Sequence, residues 1–236
     1  RAGEQKVARA YVIYREERTR LRASQTAQSV PEETAQTPLD VTLDDDRKAP
    51  LDVERMREII AEACAGLDEV DAGLIFKNTL HNLFDGIKNA DVNPTLVMTA
   101  RTLIEKEPGY SYVAARLLLD GLRHEALSFI EGTPTDATER EMRDLYGIYF
   151  SKYIHRGCDL GLLDHELSKY DLERLGKALK PERDRQFTYL GLQTLFDRYF
   201  IHSDSQRFEL PQAFFMRVAM GLAINDDANR TCVGGN

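Results

Sequence analysis

Three groups of side chains in this sequence have the types that could carry chemistry, and each lacks the spacing or the neighbours that its chemistry needs. His155, Cys158, Asp159 and His165 are all metal-ligating types. Zinc requires ligands in closely spaced pairs that converge on one point, and these match no such signature, the histidines falling on different helical faces. No metal is expected in the chain. The stretch LGKAL, Leu175 to Leu179, contains a Gly-Lys pair, but Asp171 stands where a phosphate loop needs glycine and Ala178 where it needs Ser or Thr. Cys232, in RTCVGGN, has neither a neighbouring base nor a helix N-terminus to lower its pKa, so it reads as an incidental thiol. Nucleophile-elbow and dinucleotide glycine patterns are absent. Catalytic residues are therefore expected to be none. Arg116 and Asp120 stand four apart, as an i to i+4 ion pair would on a helix, or Arg116 is buried and ties its own module to the helical scaffold that follows.

The elements that would position these groups are mostly helical. KVARAYVIYREERTRLR, Lys6 to Arg22, places Val7, Tyr11, Tyr14 and Leu21 on one stripe, and Arg9, Arg15, Arg18 and Arg20 read as its solvated face. Residues 23–38 have almost no large apolar side chains and read as a disordered linker. Asp40 to Asp52 offers two strand-like pieces around an acidic turn, and Val53 to Leu67 reads as a helix. Asn93 before Pro94 fits an N-cap with proline at the first helical position, the helix running to about Lys106. Tyr110 to Phe129 is the clearest amphipathic helix. Asp136 with Glu139 resembles a capping box for a helix through about Ile154. Leu172 to Leu179, Phe187 to Phe200 and Pro211 to Ile224 are further helices, with a turn at 202–207 and a short strand at Phe208 to Leu210. In Asp184, Arg185, Phe187 and Tyr189 the aromatics read as core and the charges as interhelical links.

Composition narrows the function classes. A chain of 236 residues with 42% hydrophobic content can bury a core in one or two domains. Its net charge of −8 argues against a general nucleic-acid or anionic-membrane surface. No apolar run approaches the roughly 20 residues needed to span a bilayer, and no signal peptide is evident, which makes a cytoplasmic location the expectation. The three cysteines are odd in number and widely spaced, as reduced thiols would be. The chain opens at Arg1, inside a helical stretch and without an initiator Met, and is expected to be a fragment.

Two stretches carry a family resemblance: GYSYVAARLLLDGLRHEAL (Gly109 to Leu127), and DRQFTYLGLQTLFDRYFI (Asp184 to Ile201) followed by RFELPQAFFMRVAMGLAI (Arg207 to Ile224). In order and spacing they resemble the helical segment that precedes the catalytic barrel of class I ribonucleotide reductase large subunits. VARAYVIYREER, Val7 to Arg18, is similar to the last helix of an ATP-cone, the effector-binding domain of that family. The resemblance implies a mainly α fold: the last helix of a first cone at 1–22, the linker at 23–38, a second cone (four helices with a small β-hairpin) at 39–130, and an all-helical domain at 131–236, with the catalytic barrel and its cysteines lying beyond the chain's end. It also implies an intact enzyme that reduces ribonucleoside diphosphates under ATP/dATP control, with a radical-generating beta subunit as partner and large subunits that assemble with one another. Neither nucleic acid nor a membrane is an implied partner.

In the second cone the family's Lys-Arg-x-Gly turn is replaced by Leu43, Asp44, Asp45 and Asp46, and Ala49 replaces a polar residue of the return strand. Adjacent carboxylates repel phosphate more than Arg47 and Lys48 offset, so this cone is expected to have lost its effector. The residues to test for residual binding are Arg55, Lys88, Asn89 and His124. Two rival readings are a stand-alone ATP-cone regulator, which lacks its paired cysteines here, and a helical protein-binding scaffold, which lacks a fixed repeat.

Overall fold

The computed structural model describes residues 39–43 and 45–224; the helix, linker and arginines expected at 1–38, and Cys232, lie outside the described residues. The described part begins with a hairpin, β1 (Asp40–Thr42) and β2 (Lys48–Pro50), antiparallel with Val41 opposite Ala49. Asp46 turns the chain with φ 60°, and the Asp45 carboxylate accepts from the Arg47 backbone N–H. Short Asx side chains tolerate that conformation and bond their own turn. Helices α1 (Val53–Cys64) and α2 (Ala72–Asn82) follow, each capped by an aspartate: Asp52 accepts from Arg55 N at 2.8 Å and Asp71 from Leu74 N at 3.0 Å. Strand β3 (Ile87–Lys88) then lies parallel to β1, with Ile87 beside Val41. Two residues are too few to show a periodicity, so sequence reasoning gave no signal for it.

Helix α3 spans Asn89–Thr102 and starts four residues before the expected N-cap, so Asn93 is not a cap and Pro94 lies inside the helix. Proline forfeits one backbone bond there. The Asn93 amide is used elsewhere: its Nδ2 donates to Leu117 O at 3.1 Å on the next helix. Gly121 makes the room, because a Cβ at that position would stand 2.5 Å from Asn93 Oδ1. Helix α4 (Tyr110–Glu131) ends at Gly132, whose φ of 71° is the left-handed stop that glycine adopts without strain. Val113, Ala114 and Leu117 of α4 join Val41, Ile60, Ile75 and Leu96 in a first core.

The other side of α4 belongs to a second core. It packs Leu119, Leu122 and Ala126 against α5 (Glu139–Asp159), α6 (Leu172–Ala178), α7 (Tyr189–Arg198) and α8 (Pro211–Ala223). Short 3-10 turns at His165–Lys169 and Pro181–Gln186 connect them. The fold is thus mainly helical, as expected. The capping box of α5 is not Asp136 with Glu139 but Thr138 with Glu141: Thr138 Oγ1 accepts from Glu141 N at 3.2 Å, and Glu141 Oε2 accepts from Thr138 N at 2.8 Å. Asp136 and Glu139 hold His124 and Arg185 instead. The expected strand at Phe208 to Leu210 is also corrected. Pairing falls earlier, between β4 (His202–Ser203) and β5 (Gln206–Arg207), across Asp204 and Ser205, both with positive φ. Tyr149 occupies the 208–210 backbone, its hydroxyl donating to Phe208 O at 2.6 Å and accepting from Leu210 N at 3.0 Å.

Two buried carboxylates organise the second core. Glu209, fully buried, accepts from Tyr153 Oη at 2.5 Å, Arg217 Nε at 2.6 Å and Ile201 N at 2.9 Å. Asp184 accepts from Tyr146 Oη at 3.0 Å and Gln212 Nε2 at 2.8 Å. Burial pushes the Asp184 carboxyl up to about 7, against the pull of these two donors and of the Arg123 charge.

Two predictions follow from the packing. At the crossing of α5 and α6 a Cβ on Gly176 would meet Gly147 O at 2.9 Å, whereas one on Gly221 would meet nothing within 4 Å. Gly176→Ala should lose roughly 1 to 3 kcal/mol in urea unfolding, and Gly221→Ala should gain up to about 1 kcal/mol from helix propensity. Because the folded Asp184 carboxyl binds its proton more tightly than the unfolded one, its favourable contribution is complete below the ordinary value of 3.8 and disappears as pH rises through about 7. Between pH 5 and 8 the wild type should therefore lose about 2 to 3 kcal/mol relative to Asp184→Asn. Parallel stability curves for the two proteins would refute that.

Candidate effector site

The residues expected to meet an effector divide into two places. Arg55, in the first turn of α1, directs Nη2 to Asp120 Oδ1 of α4 at 3.4 Å. The same oxygen accepts from Arg123 Nη2 at 3.0 Å. One turn along α4, His124 Nδ1 lies 2.8 Å from Asp136 Oδ1 in the segment before α5. The Asp136 carboxyl is held below the usual carboxylate range, first by that hydrogen bond and then by the charges of His124 and Arg55. Arg55 and His124 are thereby brought together around two carboxylates. Lys88 and Asn89, exposed at the start of α3, make no hydrogen bond or ion pair to either among the described residues.

The hairpin repeats the pattern on a smaller scale. Arg47 Nε lies 2.6 Å from Asp45 Oδ2, and Lys48 is exposed on β2. Arg123 differs from the other cations in being only 7% exposed, and its Nε has no hydrogen-bond partner among the described residues. Sequence reasoning missed Asp120, Arg123 and Asp136 as members of this cluster. The only local signal was the i to i+3 spacing of Asp120 and Arg123, which competes with the i to i+4 spacing of Arg116 and Asp120.

The Arg116–Asp120 pair is corrected by the structure. Arg116 turns away from Asp120 and donates through Nη1 to Ala63 O at 2.8 Å and Ala65 O at 2.9 Å, closing the C-terminal end of α1. Arg185 also donates through Nη2 to Ala65 O, and its Nη1 lies 3.4 Å from Glu139 Oε1. A guanidinium at a helix C-terminus satisfies the last carbonyls and matches the negative end of the dipole. Desolvation and the neighbouring Arg185 charge lower the Arg116 pKa, and burial pushes the adjacent Cys64 thiol up to about 11. That thiol is a poor nucleophile.

The remaining sequence candidates do not form a centre. His155 is exposed while Cys158 is buried and its thiol donates to Asp164 O at 3.4 Å. Among the described residues no group of three or more His, Cys, Asp or Glu side chains is placed to hold a metal ion. Lys177 lies on a regular helix and pairs with Glu173 at 2.5 Å. No helix among the described residues is long and apolar enough to cross a membrane.

Comparison with known proteins bears on this arrangement. A model of the family described as "Ribonucleotide reductase, all-alpha domain" matches residues 185–232. The ribonucleoside-diphosphate reductase subunit alpha of Chlamydia trachomatis is 39% identical over 227 residues, covering 95% of this chain and 21% of that protein. Its counterpart in Chlamydia muridarum is 36% identical over 226 residues with the same coverage. The Helicobacter pylori subunit is 34% identical over 189 residues, 76% of this chain. The chain thus spans about a fifth of the length of these relatives, 21% in each case. With matches along nearly its whole length and the all-alpha domain at its C-terminal side, this chain belongs to the ribonucleotide reductase large-subunit family and corresponds to an N-terminal portion of it.

Proposed function

We propose that the intact protein is a ribonucleoside-diphosphate reductase, that residues 39–130 are an ATP-cone that no longer binds its effector, and that residues 131–236 are the helical approach to the catalytic domain. The enzyme reduces ribonucleoside diphosphates to deoxyribonucleotides in the cytoplasm, with a radical-generating beta subunit, in an assembly of large subunits. Its chemistry lies outside this chain, whose own contribution is regulatory and structural. Control by ATP and dATP works by differential affinity: an effector that prefers one quaternary arrangement shifts the population toward it, commonly by about 1 to 3 kcal/mol. A cone without a ligand supplies no such difference and acts as a fixed spacer.

One observation carries the loss of the effector. Arg47, Arg55, Arg123 and His124 are each answered by a carboxylate of the same chain, Asp45, Asp120, Asp120 and Asp136 respectively. A triphosphate would have to compete with these carboxylates for the same donors and would meet their repulsion as it approached. Lys88 and Asn89 stay exposed and add at most a screened attraction.

The full chain, titrated calorimetrically with ATP and with dATP, should give no binding heat into the millimolar range. Micromolar binding that disappears in Arg55→Gln or His124→Ala would overturn the proposal that this cone is unoccupied.

A further inference from the structure

We infer that the outward face of α8 is an interface, and that its occupant is the part of the intact polypeptide that follows this chain, which lays an apolar surface on Phe215, Val218 and Leu222. The inference rests on the preceding reading for the existence of that polypeptide. It adds which surface the polypeptide covers and by what chemistry.

The first observation is that the polarity of α8 is inverted. The helix, PQAFFMRVAMGLA, has two polar side chains, Gln212 and Arg217. Both are spent on the second core: Gln212 Nε2 donates to Asp184 Oδ1 at 2.8 Å, and Arg217 Nε donates to Glu209 Oε1 at 2.6 Å. Every exposed residue of α8 is consequently apolar: Phe215, Val218, Ala219, Gly221 and Leu222. Phe215 is 49% exposed and Leu222 is 83% exposed. Positions 215, 218, 219 and 222 follow the i, i+3, i+4, i+7 spacing of a single stripe, which on a helix in a folded protein is the covered side.

The second is that the stripe continues onto its neighbours. The Phe215 ring stacks on Phe187 with centroids 6.3 Å apart and meets Phe214 edge-on at 5.1 Å, and Phe214 in turn lies against Tyr199, itself 55% exposed. Leu190, in the first turn of α7 and three residues after Phe187, is 75% exposed. Single exposed apolar side chains are ordinary, but a contiguous patch of them marks a contact surface.

The third selects the occupant. Helix α8 is the last described element, and the sequence after it, NDDANRTCVGGN at 225–236, has Val233 as its one large aliphatic residue, too little apolar surface to bury such a patch. The relatives that match nearly the whole of this chain devote 21% of their length to the match. A second copy would have to meet the patch through a self-complementary contact and give up its free translation and rotation. The continuing polypeptide, tethered beyond the end of α8, gives up far less.

The test is hydroxyl-radical footprinting read by mass spectrometry, on this 236-residue chain over a range of concentrations and on the intact protein. Phe215 and Leu222 should be oxidised readily in the chain at every concentration and several-fold more slowly in the intact protein. Equal reactivity in the two overturns the inference. So does protection in the chain that grows with concentration, which would make a second copy the occupant, and protection in the chain at all concentrations, which would mean that its own residues cover the face. Leu222→Glu supplies an independent reading: it should leave the melting temperature of the 236-residue chain unchanged and lower that of the intact protein, since only there is the new charge buried without a partner. An unchanged melting temperature in both proteins refutes the interface. The preceding reading fails separately, because binding of ATP to the cone, or an intact protein without reductase activity, would sink it while Leu222 stayed protected.

Discussion

Helix α4 has to bury two faces at once, and the arrangement of everything else follows from that constraint. Its Val113, Ala114 and Leu117 close the core under the hairpin, while Leu119, Leu122, Ala126 and Leu127 close the aromatic core on the far side. Leu118 packs against both. A helix that is apolar nearly all round is stable only when covered on all those sides. Each large side chain so buried contributes roughly 1.5 to 3 kcal/mol, so neither half has a complete core without this helix. The two groups of helices consequently form one compact unit, although the sequence on either side of α4 reads like two modules.

That double duty constrains the polar residues of α4 that lie between the two cores, and Arg116, Asp120 and Arg123 are committed to partners. Asp120 and Arg123 are buried against each other, and Arg116 reaches the end of α1. Beyond α4 the same economy holds in the second core. Glu209 is bonded by a tyrosine, an arginine and a backbone N–H, and Asp184 by a tyrosine and an amide. Burial raises the Tyr146, Tyr149 and Tyr153 hydroxyls well above their ordinary range, so they stay neutral donors. A buried carboxylate stripped of one partner is costly, but a satisfied one is close to neutral and fixes geometry. The tyrosines on α5 therefore set where the chain from Ile201 to Gln212 must run.

Much of this was legible in the sequence, and the misses share a cause. Helices with a continuous apolar period, α1, α4 and α8, were located to within a few residues because one covered stripe is enough to define them. Local signals failed where two residues of equal merit competed. Asp136 and Thr138 are both good caps, and the choice fell to Thr138 because His124, twelve residues away, takes Asp136. Pro94 looked like a helix start, yet Asn93 is needed across the helix pair at Gly121. Strand β3 exists only because β1 offers it an edge. Each outcome is decided by a partner that no local window contains.

The candidate site shows the same limit in electrostatic form. Arg55 and His124 could be named from the sequence, but Asp120 lies 65 residues from Arg55, and its role depends on how α1 packs on α4. Counting charge would not have found it. A net charge of −8 describes a chain with many carboxylates without saying which cations they face. What decides binding is local: whether a donor that could meet a phosphate already has an anion beside it. Where the chain supplies that anion from its own α4, the site can keep its fold and its cations and still have no affinity to offer, since an incoming ligand gains only the difference between its own fit and that of the carboxylate it displaces. Retained basic residues are then no guide to retained binding, and the acidic residues beside them become the informative positions.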